Sequence, residues 1–129
     1  MAKFKFSARS LGNLDVHKDL KAVAFKALEL TPVDFIVVDG GRTIAEQRRY
    51  VQQGKSKTMK SKHLKGYAFD FVAIDPKTGK ASYNIHLMRK VADACKEAGR
   101  LLNVPVEWGG DWKSFVDTPH IQLSSKVYK

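Results

Sequence analysis

The stretch that decides the fold of this chain reads Ser61-Lys-His-Leu-Lys-Gly-Tyr-Ala-Phe-Asp-Phe-Val-Ala-Ile74. Its second half, residues 67–74, alternates between two faces in the way that is typical of a β-strand. Gly66 allows the backbone to turn sharply just before that strand. Asp70 therefore lies in mid-strand among apolar neighbours, where a lone carboxylate is costly unless it is paired or bound to a metal.

A candidate metal site follows from two separated parts of the sequence. The pattern His63-x-x-Gly-x-Ala-x-Asp70 places small residues where a compact turn must bring both side chains together, and Asp117-Thr-Pro-His120 adds a histidine three residues after an acid. Two histidines and one carboxylate, with an open fourth position, are a known ligand set of catalytic zinc. Taken alone, His63 is better explained as a turn histidine, Asp70 as an acid bonded to an arginine, and Asp117 as a turn cap. Taken together, they predict a metal site.

The composition is that of an ordinary globular protein with a strongly basic balance. The 129 residues include 23 basic and 13 acidic side chains, which give a net charge of +10. Such a charge favours a polyanionic partner, namely nucleic acid, an anionic membrane surface or a carboxylate-rich wall polymer. The lone Cys95 excludes an intramolecular disulfide. The N-terminal residues lack the apolar run of a signal peptide, so we expect synthesis in the cytoplasm and release by another factor.

The periodicity of the remaining sequence predicts a single α+β domain over residues 1–129, built on a small antiparallel sheet with helices packed on it. Residues 1–14 have little periodicity and form a polar, basic lead-in. The predicted helices cover 17–30, 43–54 and 84–99, and the predicted strands cover 33–38, 67–74, 104–108 and 120–123.

These motifs resemble those of the zinc peptidases of peptidoglycan. That group contains the D-Ala-D-Ala carboxypeptidases and the L-alanyl-D-glutamate endopeptidases, and it also takes in lysostaphin and the hedgehog signalling domain. The likeness covers residues 35–123, and it is carried by His63-x-x-Gly-x-Ala-x-Asp70, the later acid-x-x-His120, Gly41-Arg-Thr-x-x-x-Gln47 and Trp108-Gly-Gly-Asp-Trp112. We expect no separate cell-wall-binding domain, and the short length is most similar to single-domain phage endolysins.

The resemblance implies a role for each matching residue. It implies one zinc ion per chain, held by His63, Asp70 and His120, with Asp117 as the general base. Many relatives carry glutamate in place of this aspartate, although the phage branch tolerates the shorter side chain. Arg42, which follows a strand and opens a helix, would hold a substrate carboxylate or the developing oxyanion. Gln47 and Ser61 are further candidates for hydrogen bonds to the substrate or to the ligands.

The function that the resemblance implies is hydrolysis of the peptidoglycan stem peptide at the L-alanyl-D-glutamate bond during phage lysis. We expect a monomer with no nucleic-acid partner and no stable insertion into a membrane. A D,D-carboxypeptidase acting on D-Ala-D-Ala termini is the alternative, because both reactions use the same metal ligands. A non-catalytic zinc-binding module is a second alternative, against which the presence of Asp117 and Arg42 argues. A nucleic-acid binder or histidine-metal nuclease lacks support from any helix-turn-helix, RNA-binding or zinc-finger motif.

Overall fold

The computed structural model describes residues 4–40, 44–54, 66–114 and 116–128, and this part of the chain contains four α-helices and five β-strands. The helices are α1 (Ala8–Asn13), α2 (Lys18–Leu30), α3 (Ile44–Gln52) and α4 (Ile85–Leu102). The strands are β1 (Phe35–Asp39), β2 (Ala68–Ile74), β3 (Ala81–Ser82), β4 (Val106–Trp108) and β5 (His120–Leu123). A 3-10 turn at Gly109–Asp111 follows β4.

The sheet is antiparallel, with the strand order β1-β2-β5-β4 and the short β3 paired to the end of β2. Its register places Asp70 of β2 directly opposite His120 of β5. On the other side of β2, Asp39 at the end of β1 is the partner of Asp70, after an irregularity in the pairing. A slip of one residue would send each side chain to the other face, so this register brings the candidate ligands together.

The hydrophobic core lies between the sheet and the helices α2 and α4, which pack against each other. The middle of β2 is buried almost throughout, and Phe69 and Phe71 are fully buried. Helix α4 also contacts β2 and β4. The predicted α+β fold, with helices on a small antiparallel sheet, is confirmed. Among the described helices, none is long and apolar enough to cross a membrane.

The lead-in predicted for residues 1–14 is wrong over part of its length, because α1 forms there. Ser7 caps this helix by accepting a hydrogen bond from the backbone N–H of Ser10 at 3.1 Å. The Ser10 hydroxyl accepts a hydrogen bond from the N–H of Val37, and the Asn13 amide donates to the carbonyl of Val37 at 2.8 Å. Helix α1 is therefore joined to β1 by polar side chains, and a search for an apolar stripe does not detect it.

The last long helix also extends further than its sequence predicts. The helical pattern predicted an end at Gly99, whereas α4 continues to Leu102. Asn103 ends it in the left-handed conformation with a φ of 58°, and the N–H of Val104 donates to the carbonyl of Gly99 at 2.8 Å. An asparagine thus takes the terminating role that the sequence suggested for a glycine.

Candidate metal centre

Two of the predicted metal ligands lie side by side on the central strands of the sheet. The Nδ1 atom of His120 is 3.2 Å from the Oδ1 atom of Asp70. Both side chains are largely buried, with 10% exposure for His120 and 19% for Asp70. The N–H of Phe71 donates to the carbonyl of Pro119 at 2.8 Å, which ties the backbone of β2 to the start of β5. The sheet therefore fixes these two side chains relative to each other.

The second acidic group of the site, Asp117, lies in the turn before β5. Its backbone N–H donates to the carbonyl of Gly109 at 3.0 Å, and its carbonyl accepts from the N–H of His120 at 3.1 Å. A Cβ atom added at Gly109 would lie 2.2 Å from the Asp117 carbonyl oxygen, so glycine is required for this approach. The indole of Trp108 donates to the Thr118 carbonyl at 2.7 Å. These bonds place the Asp117 Oδ2 atom 3.9 Å from His120 Nδ1.

Asp70, Asp117 and His120 form a group that could hold a metal ion. One ligand atom from each of them lies within 4.8 Å of the others. Carboxylate oxygens and imidazole nitrogens are ligands that zinc takes in proteins, so the three side chains fit a divalent cation of this kind. Two of the three were predicted as ligands, and Asp117 was predicted as the general base beside them. The structure thus brings together the described members of the predicted site.

The surroundings of His120 include one residue that the sequence did not single out. The Nε2 atom of the ring lies 2.9 Å from Oε1 of Gln122, and the Trp112 ring lies 5.2 Å away between centroids. Burial lowers the pKa of His120, but the hydrogen bond to Asp70, the charge of that carboxylate and the contributions of Gln122 and Asp117 raise it above its ordinary value of 6.5. Spacing could have suggested Gln122, because residues two apart on a strand share a face.

The turn at Gly66, which precedes β2, is held from two sides. Gly66 has a φ of +71°, a left-handed conformation that favours glycine. Its carbonyl accepts a hydrogen bond from the N–H of His17 at 2.8 Å, and the carbonyl of Tyr67 accepts from Leu123 at the same distance. The rings of His17, Tyr67 and Tyr128 also make mutual edge contacts. The start of β2 is thus anchored both to the N-terminal part of the chain and to its C-terminal part.

Four predicted site residues are not placed by the structure. Arg42, Ser61 and His63 lie outside the described residues. Gln47 belongs to α3, but its side chain is also outside what the structure describes. The roles assigned to these four residues stay predictions.

The fold and the sequence both have counterparts among known proteins. The crystal structure of the L-Ala D-Glu endopeptidase ChiX from Serratia marcescens superimposes with a TM-score of 0.88 and 41% sequence identity, over 98% of this chain and 94% of ChiX. The sequence profile of the family described as phage L-alanyl-D-glutamate peptidase matches residues 1–124. The chain therefore belongs to this peptidase family, which confirms the resemblance found in its motifs.

Two phage proteins are similar to nearly the whole chain. The L-alanyl-D-glutamate peptidase of Listeria phage A118 is 37% identical over 128 residues, which make up 95% of this chain and 43% of that protein. The L-alanyl-D-glutamate peptidase of Escherichia phage T5 is 36% identical over 130 residues, covering 97% of this chain and 93% of that protein. The chain thus spans less than half of the first relative and nearly all of the second.

Proposed function

We propose that this protein is a phage endolysin, a zinc-dependent peptidase that hydrolyses the L-alanyl-D-glutamate bond of the peptidoglycan stem peptide. The observation that carries the proposal is the convergence of Asp70, Asp117 and His120 at one point of the sheet, in a chain of this family. Both phage relatives are named for hydrolysis of this bond. Their names indicate the bond that is cleaved, and the three converging side chains could hold the metal ion that acts on it.

We assign the zinc ligands as His63, Asp70 and His120, with one ion per chain. Zinc held by three protein ligands polarises a carbonyl group and lowers the pKa of water to about 7. The different exposures of the two acids support the division of roles. Asp70 is 19% exposed and fixed by the sheet, whereas Asp117 is 47% exposed and can exchange protons with solvent or substrate. A general base needs this access, and a ligand needs the fixed position.

In the proposed reaction, Asp117 accepts a proton from the attacking water at its carboxylate oxygen. The oxygen of that water bonds to the L-alanyl carbonyl carbon, the carbon–nitrogen bond breaks, and Asp117 passes the proton to the leaving amine of D-glutamate. Arg42 cannot lose its charge at neutral pH, and it holds a substrate carboxylate or the developing oxyanion. Gln47 and Ser61 supply hydrogen bonds that orient the substrate.

We further propose that residues 1–129 act as one peptidase domain and as a monomer on the wall. The match of the family profile to residues 1–124 supports the single domain. The net charge of +10 supports attraction to an anionic wall polymer. In this proposal the protein is made in the host cytoplasm and reaches its substrate after another factor releases it.

The test is digestion of purified peptidoglycan by the zinc-loaded protein, followed by mass spectrometry of the soluble fragments. The proposal expects new amino termini on D-glutamate and new carboxyl termini on L-alanine. Asp117→Asn is the inactive comparison, and Asp93→Asn, an exposed acid on α4, is the matched control. Release of free D-alanine would assign a D,D-carboxypeptidase instead. Zinc binding without any fragments would assign a non-catalytic zinc module.

A further inference from the structure

Gln122 is a buried polar residue in the middle of the sheet, directly behind the candidate metal ligand. It is 8% exposed and lies on β5, with Ala68 of β2 opposite it on one side and Glu107 of β4 on the other. The pairs Ala68–Gln122 and Asp70–His120 are two residues apart on the same strands, so all four side chains share one face. Ala68 is fully buried and is the direct partner of Gln122 in the register.

The hydrogen bond between Gln122 and His120 constrains which ring nitrogen carries a proton. A neutral imidazole has one N–H and one lone pair, and the partner of one nitrogen sets the state of the other. The Gln122 Oε1 atom lies 2.9 Å from Nε2 and can only accept, so this contact favours a proton on Nε2. Nδ1 faces the two acids, 3.2 Å from Asp70 and 3.9 Å from Asp117, so it is the nitrogen that would present its lone pair to a cation held by them.

The opposite orientation of the amide would have a different consequence. If the NH₂ group of Gln122 faced the ring, it would donate to Nε2 and leave the proton on Nδ1. An N–H would then point toward the carboxylates of Asp70 and Asp117, and no imidazole lone pair would face them. Histidine ligands of metals generally donate their second ring N–H to an oxygen atom, and loss of that oxygen typically lowers metal affinity about 10-fold to 100-fold.

We propose that Gln122 is a positioning residue for the metal centre, whose amide oxygen keeps the proton on Nε2 of His120 and so makes Nδ1 the metal-binding nitrogen. The inference rests on the proposed function only in taking His120 as a zinc ligand. Gln122 does not touch the substrate in this arrangement.

Two measurements test this role without relying on activity. Zinc affinity is measured by competition with a chromophoric chelator for wild type, Gln122→Met and Gln122→Glu. Methionine has a similar length but no oxygen acceptor, and we expect its affinity to fall about 10-fold to 100-fold. Glutamate keeps an oxygen acceptor, and we expect it to bind zinc as tightly as glutamine or more tightly. Ile121→Val, in the same strand but on the opposite face, controls for general loss of packing and should leave zinc affinity unchanged.

The second measurement is long-range proton–nitrogen NMR of the His120 ring in the zinc-loaded wild-type protein. We expect a protonated Nε2 and a metal-bound Nδ1. This experiment needs no variant, so it decides the question even if Gln122→Met does not fold. A protonated Nδ1, or wild-type zinc affinity in Gln122→Met, would overturn the role of Gln122. The proposed enzymatic function fails separately, when the zinc-loaded wild type releases no fragments from peptidoglycan although both measurements on Gln122 give the expected results.

Discussion

Asp70 and Asp117 bring the same chemical group to one site from two different kinds of support. Asp70 lies in the middle of β2, between β1 and β5, and its side chain is 19% exposed. Asp117 lies in a turn that is held by backbone bonds to Gly109 and His120, and its side chain is 47% exposed. Groups on strands are positioned more rigidly than groups on loops. A fixed carboxylate suits a metal ligand, and an accessible one suits proton transfer.

The comparison also separates substitutions that affect folding stability from substitutions that affect catalysis alone. Asp70 and His120 are embedded in the sheet, so changes to them affect metal binding and folding together. Asp117 projects from a turn whose backbone bonds do not depend on its side chain. Substitutions in the two regions should therefore give different combinations of lost zinc, lost activity and lost stability.

The largest effect is expected for His120→Ala, which removes a proposed ligand from the rigid region. Tight zinc binding and activity should both be lost. The zinc-loaded protein should lose the stabilisation that the ion supplies, which is about 4 kcal/mol when free zinc is 1,000-fold above its dissociation constant. Elemental analysis and denaturant unfolding with and without zinc measure these effects. Full zinc occupancy in this variant would refute the assignment of His120 as a ligand.

The next effect is expected for Asp117→Asn in the accessible region. The amide is nearly isosteric with the acid but cannot accept a proton, so turnover should fall roughly 10²-fold to 10⁴-fold. Zinc content and the free energy of unfolding should stay close to wild type. Turnover of a stem peptide by the zinc-loaded variant is the measurement, with Asp93→Asn as control. Turnover near that of the control would show that another group is the base.

A smaller effect is expected for Gly109→Ala, which disturbs the support of Asp117 and leaves its carboxylate in place. The new Cβ atom would meet the Asp117 carbonyl oxygen at 2.2 Å, so the turn must shift. Displacement of a catalytic group by about 1 Å can cost up to about 100-fold in rate. We expect a loss of turnover within this limit, with zinc retained.

The matched control for this substitution is Gly12→Ala, because a Cβ atom there has no neighbour within 4 Å. It should leave turnover unchanged and add slightly to the stability of α1, since alanine is the better helix former. Equal turnover in the two variants would mean that the turn at Gly109 does not position Asp117.

The sequence predicted the local features of this site better than its long-range ones. The alternation over residues 67–74 predicted β2, and the spacing from Asp117 to His120 predicted a turn followed by a strand. The pairing of Asp70 with His120 joins residues 50 positions apart, and periodicity carries no information on such a register. Family motifs supplied that link before the structure did.

Two features escaped the sequence because their signals are polar. Helix α1 is joined to β1 through Ser10 and Asn13, so it lacks the apolar stripe that marks α2 and α4. Gln122 lies in a strand as an ordinary polar residue, and only the hydrogen bond to His120 distinguishes it. Patterns of apolar residues identify which face is buried, but they do not show which buried polar groups meet.

A third aspartate, Asp34, sharpens the comparison, because it is partly buried without being part of the site. It precedes β1, and its carboxylate accepts a hydrogen bond from the N–H of Phe35 at 2.8 Å. Burial raises the pKa of Asp34 above its ordinary value of 3.8, and the backbone hydrogen bond only partly opposes this. The folded protein therefore binds the proton of Asp34 more tightly than the unfolded chain does.

The smallest effect is accordingly expected for Asp34→Asn. This substitution should raise the free energy of unfolding, whereas the substitutions in the site should cause losses. Below pH 3.8 the carboxyl is protonated in both the folded and the unfolded state, so its burial does not lower the free energy of unfolding through ionisation. Above the raised pKa of the folded state, the ionised carboxylate lowers the free energy of unfolding by its full amount. Asparagine keeps an oxygen acceptor for the Phe35 N–H without ionising. We expect a gain of at most about 0.5 kcal/mol at pH 7, in keeping with a substitution near the surface. The gain should vanish as the pH falls toward 3.8.

Urea unfolding of both metal-free proteins at matched pH values isolates this residue, because all other groups titrate alike. A variant less stable than wild type at pH 7 but equal to it at low pH would mean that the ionised Asp34 carboxylate stabilises the fold.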